Sequence, residues 1–334
     1  KIKGLKLAFV VDECHRAVTP QTKRDLERFF SNSLWYGFTG TPIFEENKYE
    51  QKGDLPQTTD QLYGNNGKPL HSYTIKEAIH DEAVLGFMVE NLGPKGISPE
   101  QEECLYHTDT HMRSVLNVIL NQSYAKFAMQ RGRGKTYEAL LTVKSIAIAQ
   151  KYYDLLKKIK NNEDSLKINE NIRKALPDFP KFAITYSISE NEEASQVNQE
   201  KMKVALDDYN QMFDTHFGIE EINAYNSNLN DRLARKDKKY FKREQQLDFV
   251  IVVDRLLTGF DAPCLSTLFI DRQPMAPQNI IQAFSRTNRL FDEGKQYGQI
   301  VTFQVHDKFK SAINDALMLY SRGGEGNPIA RGLG

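Results

Sequence analysis

Short apolar runs alternate with stretches of helical spacing along most of the chain. Residues 5–11 (LKLAFVV) form a short, mostly apolar run, with Lys6 its one charge, that reads as a strand buried on both faces, as in parallel sheets. Thr19-Pro20 follows, an N-cap residue with proline at the first helical position, and the predicted helix carries Leu26, Phe29 and Phe30 on one face. A second strand is predicted over 34–38. This strand–helix–strand order is a parallel α/β unit. Residues 45–71 are polar and carry Pro56, Asn65-Asn66-Gly67 and Pro69, the composition of a long loop. A helix over 73–84 and a strand over 85–90 come next.

Residues 91–110 hold Gly93-Pro94, Gly96 and Pro99 and read as a linker; a helix is predicted over 111–130. The pattern then restarts. Strands are expected at 139–143, 182–188, 249–253, 267–270 and 300–303. A helix opened by Ser145 should bury Ile146, Ala149, Tyr152, Tyr153, Leu156 and Ile159. Residues 160–171 are polar, and 190–246 read as mostly helical and charged. A last helix is expected over 306–320, followed by a tail with Gly323-Gly324-Glu325-Gly326. The expected domains are residues 1–92, a linker with its connecting helix at 93–136, a second α/β lobe at 137–305, and a C-terminal helix and tail at 306–334. Two lobes also suit 334 residues, at about 150 residues per domain.

Composition narrows the function classes. Lys and Arg number 44 and Asp and Glu 44, so the formal net charge is zero, with 40% hydrophobic residues. This excludes a mostly disordered chain and binding of nucleic acid through overall positive charge, and leaves open a local basic track. No apolar run of membrane-spanning length occurs, so no membrane partner is expected. Three widely spaced cysteines, Cys14, Cys104 and Cys264, with no C-x-x-C pair, point to a reducing cytoplasm rather than a disulfide framework.

Four clusters carry candidate chemistry. Asp12-Glu13 ends the first strand, where ligands of open α/β sheets sit. One carboxylate there suits Mg²⁺ held through water, and its neighbour suits orienting or deprotonating an attacking water. Alternatively the pair is simply solvated. Thr39-Gly40-Thr41-Pro42 ends the second strand, as a phosphate-reporting segment or a plain turn. Leu256-Leu257-Thr258-Gly259-Phe260-Asp261-Ala262-Pro263 follows another strand: Gly259 allows close backbone approach and Asp261 offers an acceptor, or the segment is a turn before proline. Gln282, Arg286 and Arg289 share a face if helical, and two guanidiniums so placed suit a γ-phosphate, or the stretch is a solvated basic helix end.

In this order, DECH, TGTP, LLTGFDAP and QAFSRTNR resemble motifs II, III, V and VI of superfamily 2 helicases and translocases. The longer strings GFTGTPIF, LHSYTIKEAIHDEAVLGF, LLTGFDAPCLSTLFIDR and QAFSRTNRLF resemble the motor (R, HsdR-type) subunit of type I restriction-modification enzymes. The resemblance spans roughly residues 5–90 and 137–305. It implies two RecA-like parallel-sheet lobes with MgATP held between them, and ATP-driven translocation on double-stranded DNA in complex with specificity and methyltransferase subunits. Carried over by position, Asp12 coordinates Mg²⁺ and Glu13 activates water. His15, Thr39, Gly40 and Thr41 couple the nucleotide site to DNA, Gly259 and Asp261 face the nucleotide, and Gln282, Arg286 and Arg289 complete the site, with Arg289 the arginine finger. Ser285 stands where many relatives have glycine.

The family's phosphate-binding loop precedes DECH, and only eleven residues precede Asp12. The resemblance therefore implies a first lobe truncated at its N-terminus, an internal fragment without its nuclease domain, and no autonomous ATP turnover. Gly132-Arg-Gly134-Lys135-Thr136 mimics the end of such a loop but lacks its first glycine, since position 129 is Met. Cys104, His107 and His111 have zinc-like spacing without an evident fourth ligand. Residues 231–244 (DRLARKDKKYFKRE) hold seven Lys/Arg against three Asp/Glu, and Lys238, Lys239, Lys242 and Arg243 are its candidate DNA-phosphate contacts, with a solvated helix face as the alternative. The rival functions are another superfamily 2 enzyme, such as an RNA helicase, and a non-catalytic DNA-binding or assembly module.

Overall fold

The computed structural model describes residues 2–106, 108–187, 194–257 and 259–321. The expected positions His107, Ile188, Thr258 and the glycine-rich tail lie outside the described residues. The chain divides into two α/β units. The first comprises residues up to Asp81, with Met275–Gln282 and the stretch from Ile313; the second comprises Glu82–Pro274 and Ala283–Ala312.

In the first unit, β1 (Leu7–Val11) pairs in parallel with β2 (Ser33–Gly37), in a register running from Leu7↔Ser33 to Val11↔Gly37. The helix Pro20–Phe29 connects them. Thr19 caps it as expected, its Oγ1 accepting from Thr22 N–H at 3.1 Å, with Pro20 at the first helical position. Phe9 stacks on Trp35, with ring centroids 4.1 Å apart, and meets Phe30 at 5.8 Å. Burial on both faces does not hold. Burial alternates along both strands, leaving Val10 69% and Leu34 61% exposed. An apolar run records β-propensity on both faces, whereas cover depends on what packs there, and here aromatic packing covers one face only. Phe29, expected on the buried helix face, is likewise exposed.

The second unit holds a six-stranded sheet in the order β3-β8-β7-β4-β6-β5, with every pair parallel. Its strands are β3 (Gly86–Asn91), β4 (Glu138–Val143), β5 (Phe182–Thr185), β6 (Phe249–Val252), β7 (Leu265–Asp271) and β8 (Tyr297–Thr302). Every residue of β4, β5, β6 and β7 is buried, the pattern of a sheet covered on both faces. The helix Ile146–Lys160 follows β4. Ser145 caps it, accepting from Ile148 N–H at 3.3 Å, and Ala149, Tyr152, Tyr153, Leu156 and Ile159 are buried as predicted.

Three boundaries differ from expectation. β3 was expected in the first lobe but pairs with β8, so the second unit begins at Glu82 rather than at residue 137. Local pattern predicts a strand, while its partner is a non-local choice that the pattern does not encode. The helix expected over 111–130 is helical over Asp109–Asn117 and passes into a wide turn, Val118–Gln122. There Ser123 Oγ donates to Val118 O at 2.9 Å and Asn121 Nδ2 to Asn117 Oδ1 at 2.8 Å, so polar side chains compete with the helical ladder. The polar stretch 45–71 contains a short helix, Thr59–Tyr63, capped by Thr58. Among the described residues no helix is long and apolar enough to cross a membrane.

Candidate functional site

Asp12 and Glu13 follow β1 directly. Glu13 adopts a left-handed backbone (φ 48°), sparsely populated by non-glycine residues, and its N–H donates to Asp12 Oδ1 at 2.8 Å. The end of β2 grips the turn: Cys14 N–H donates to Phe38 O at 3.0 Å and Phe38 N–H to Val11 O at 2.8 Å. A Cβ at Gly37 would stand 2.6 Å from a ring carbon of Tyr63 and 2.8 Å from Cys14 Sγ, so this close approach requires glycine. Burial raises the Cys14 thiol to about 11, which keeps it protonated and unsuited to nucleophilic work.

A polar network grows from this turn. His15 is buried, with Nδ1 2.7 Å from Thr39 Oγ1 and 3.5 Å from Glu13 Oε2. Thr39 Oγ1 also accepts from Thr41 N–H at 3.0 Å. Gln282, buried on the helix Pro277–Phe284, donates from Nε2 to Thr41 Oγ1 at 2.8 Å and to Glu13 Oε2 at 3.2 Å, and its Nε2 lies 3.4 Å from His15 Nε2. His15 Nδ1 faces two oxygens able to accept, Thr39 Oγ1 and Glu13 Oε2, so the proton is assigned to Nδ1. Desolvation lowers the His15 pKa, and Arg16 adds to this against the opposing pull of Glu13, so the ring stays neutral. The first unit thus brings together Glu13, His15, Thr39, Thr41 and Gln282. Gly40 stands in open space, and Asp12 is exposed beside the network. Asp12 fits an Mg²⁺ ion held mainly by water and phosphate oxygens; among the described residues no group of three His, Cys, Asp or Glu offers a protein cage.

The second unit brings together Asp261, Arg286 and Arg289. Arg289 Nε lies 3.0 Å from Asp261 Oδ1, an ion pair not aligned for a hydrogen bond. Arg286 Nη1 donates to Phe260 O. Gly259 adopts φ +65°, which favours glycine. The shared helical face proposed for Gln282, Arg286 and Arg289 does not hold: the helix ends at Phe284, Arg286 lies in the turn beyond it and Arg289 in the irregular segment that follows. Thr287 Oγ1 donates to Phe284 O at 2.8 Å, capping that end with a side chain.

Two supporting residues escaped sequence reasoning. Tyr49 OH donates to His15 O from within the polar stretch taken as loop. Lys295 is buried, and its Nζ donates to Pro263 O at 2.6 Å and Arg289 O at 2.9 Å, tying the two second-unit motifs together. Burial lowers its ammonium to about 8. Its only sequence signal is the turn Asp292-Glu293-Gly294-Lys295, which says nothing of burial.

The basic stretch is largely committed inside the protein. Arg243 is 3% exposed; its Nε lies 3.0 Å from Asp178 and its Nη1 and Nη2 lie 2.5 and 2.9 Å from Asp248, so it is removed from the DNA-contact set. Arg235 pairs with the buried Glu138 at 3.2 Å, and Arg232 lies 3.6 Å over the Phe213 ring. The segment forms tight turns at Lys238–Phe241 and Arg243–Gln245 rather than one helix face. Lys238, Lys239 and Lys242 are exposed. In the zinc-like run, His111 Nε2 instead lies 2.8 Å from Asp271 Oδ1. The loop mimic at 132–136 sits between the turn Met129–Arg131 and β4, opposite to the strand-then-helix order a phosphate loop needs.

Residues 135–305 match the family of type I restriction enzyme subunit R domain 3, and residues 3–116 match the SWI2/SNF2 ATPase family. The type I restriction enzyme SauCOLORF180P endonuclease subunit of Staphylococcus aureus strain COL is 32% identical over 334 residues, covering 96% of this chain and 32% of that protein. The SsaAORF53P endonuclease subunit of Staphylococcus saprophyticus is 33% identical over 328 residues, covering 95% and 32%. The chain therefore spans about a third of the length of these relatives. A fragment of a putative HsdR subunit from Vibrio vulnificus YJ016 superposes with a TM-score of 0.46 at 16% identity, over 90% of this chain and 44% of that one. With its motifs in order and the R-subunit domain matched over more than half its length, the chain belongs to the R subunit family of type I restriction enzymes.

Proposed function

We propose that this chain is the ATP-driven motor segment of a type I restriction R subunit and moves that enzyme along double-stranded DNA. The observation that carries the reading is the Glu13–His15–Thr39–Thr41–Gln282 network at the carboxyl ends of β1 and β2. Glu13 is oriented by an amide hydrogen bond, and its side chain remains 28% exposed, so water can reach the carboxylate. In this reading Glu13 orients the attacking water and takes its proton. The bond from Gln282 to Thr41, with Thr41 N–H on Thr39, links the carboxylate to the second motif, so a change at one propagates to the other. Asp12 holds Mg²⁺, which when bound neutralises phosphate charge. Gly259 and Asp261 face the nucleotide, Arg286 positions the loop through Phe260 O, and Arg289 supplies charge to the transferring phosphate.

The proposed setting is the cytoplasm, with specificity and methyltransferase subunits as partners. Family membership favours this reading over an RNA helicase. The test is displacement of a third DNA strand from a duplex downstream of a recognition site, by the parent R subunit assembled with its partners. ATP-dependent displacement is expected. ATP hydrolysis without displacement would remove the motor from the reading. Lys238, Lys239 and Lys242 remain candidate phosphate contacts. Neutralising all three should weaken binding to unrelated duplexes equally and flatten the plot of log affinity against log salt by up to about 2.7 units, at about 0.9 per contact. An unchanged slope would return them to a solvated surface.

A further inference from the structure

Among the described residues the fold takes three lysines out of water, Lys23, Lys181 and Lys295, and Lys295 is the least exposed of them at 4%. Burying an ammonium is costly unless its donors are filled. Lys23 has a carboxylate for this, Glu27 Oε1 at 2.5 Å, and Lys181 donates to the carbonyls of two adjacent residues, Arg243 and Glu244. Lys295 is different on both counts. It makes no ion pair among the described residues, and its two carbonyl acceptors, Pro263 O at 2.6 Å and Arg289 O at 2.9 Å, belong to separate motifs. Bonds from a charged donor are roughly twice as strong as neutral ones, so the buried charge is spent on joining two stretches of backbone.

The turn that carries Lys295 is itself fixed from behind. Asp292 Oδ1 accepts from Gly294 N–H at 3.0 Å and from Lys295 N–H at 3.2 Å. Asp292 is held in turn by Arg131 Nη1, 2.7 Å from Oδ2, and by Tyr137 OH, which donates to Oδ1 at 2.7 Å. Arg131 and Tyr137 lie in the stretch that runs into β4. A line of contacts therefore starts at the root of a buried strand, passes through Asp292 to Lys295, and ends on the carbonyls of Pro263 and Arg289. The Arg289 side chain has no comparable anchor: it is 39% exposed, and its Nε makes no hydrogen bond. Where that guanidinium sits is decided by its backbone.

We propose that Lys295 is a positioning residue of the motor: its buried ammonium clamps the end of segment 256–263 to the backbone of Arg289 and so sets where the Arg289 guanidinium reaches. This rests on the motor reading and on Arg289 as its arginine finger. An apolar side chain of similar length at 295 leaves two carbonyls without their donor but also removes a buried charge, so the fold can survive while the placement is lost.

The test uses the full-length R subunit assembled with its partner subunits. Lys295→Met, Lys295→Gln and Lys295→Arg are made, and Lys295→Met is also combined with Arg289→Ala. DNA-stimulated phosphate release gives kcat and KM for ATP, with single-turnover release for the slowest variants. Thermal melting checks folding, and amide exchange read by mass spectrometry follows segments 259–263 and 286–290. Lys295→Met should lower kcat by up to about 100-fold, the effect of a small misplacement near the reacting groups, with KM unchanged. Lys295→Arg keeps a charged donor and should recover part of the turnover, with Lys295→Gln between the two. On the Arg289→Ala background Lys295→Met should cost little more, because the group it places is gone. Folded Lys295→Met with wild-type kcat overturns the proposal. So does a raised KM at unchanged kcat, or a loss that multiplies in full with that of Arg289→Ala. If Arg289→Ala alone turns over normally, the finger reading fails and exchange decides the clamp: faster exchange of both segments in Lys295→Met upholds it, and unchanged exchange overturns it. Should Lys295→Met not fold, Lys295→Gln and Lys295→Arg carry the same comparisons.

Discussion

Arg289→Ala in the full-length R subunit is expected to lower DNA-stimulated ATP turnover by about 10³–10⁵, the effect of removing an arginine finger. The structure distinguishes the two arginines of this motif. Arg286 spends its guanidinium on Phe260 O, a backbone tie that suits a latch. Arg289 pairs only loosely with Asp261, its Nε at 3.0 Å but poorly aligned, and its side chain is 39% exposed. Such a guanidinium exchanges a carboxylate for a phosphate at small cost, because a partly exposed ion pair contributes little. Its backbone is nevertheless fixed, since the buried Lys295 donates to Arg289 O. Arg289→Lys should recover little, because the ammonium lacks the planar pair of donors. Steady-state phosphate release with saturating duplex checks this, and near-normal turnover by Arg289→Ala would show that the finger lies elsewhere.

Glu13→Gln should leave nucleotide binding intact and cut hydrolysis by about 10²–10⁴, the usual contribution of a positioned general base. An amide cannot take the proton from water. It can still accept from Gln282 Nε2 through its oxygen, so the network that places Thr41 and His15 should survive. Binding of a non-hydrolysable analogue and single-turnover hydrolysis separate the two effects. Unchanged single-turnover hydrolysis would reassign the base. Weakened analogue binding would mean that Glu13 supports the nucleotide site rather than the chemistry.

Much of the architecture is legible in the sequence because it is written locally. Thr19-Pro20 and Ser145 announce helix starts, since each cap acts within three residues of itself. The continuous apolar run at β6 matches a strand buried on both faces. Which strand pairs with which is a different matter: β3 reads as a strand from its residues, but its place beside β8 depends on a partner more than 200 residues later. The site divides the same way. Glu13, Thr39 and Thr41 are visible at strand ends, and the structure joins them through Gln282, as their spacing alone does not reveal. The basic segment misleads because a charge count ignores geometry. Arg232, Arg235 and Arg243 look like solvent-facing cations and instead fill interior positions opposite rings and carboxylates.

Gly37 touches no substrate in any reading offered above, and its part is to leave a space empty. A methyl group there would strike the Tyr63 ring and the Cys14 sulfur together, from a strand end whose neighbour Phe38 anchors the turn bearing Glu13. The turn, rather than the sheet, is the easier of the two to displace, because strand pairing is held by a ladder and the turn by single bonds. Even alanine at this position therefore requires the Tyr63 ring or the Cys14 sulfur to shift, for a reason that is wholly steric. A census of tolerated substitutions that disfavoured every side chain at residue 37 would invite a chemical role for an atom whose whole contribution is its absence.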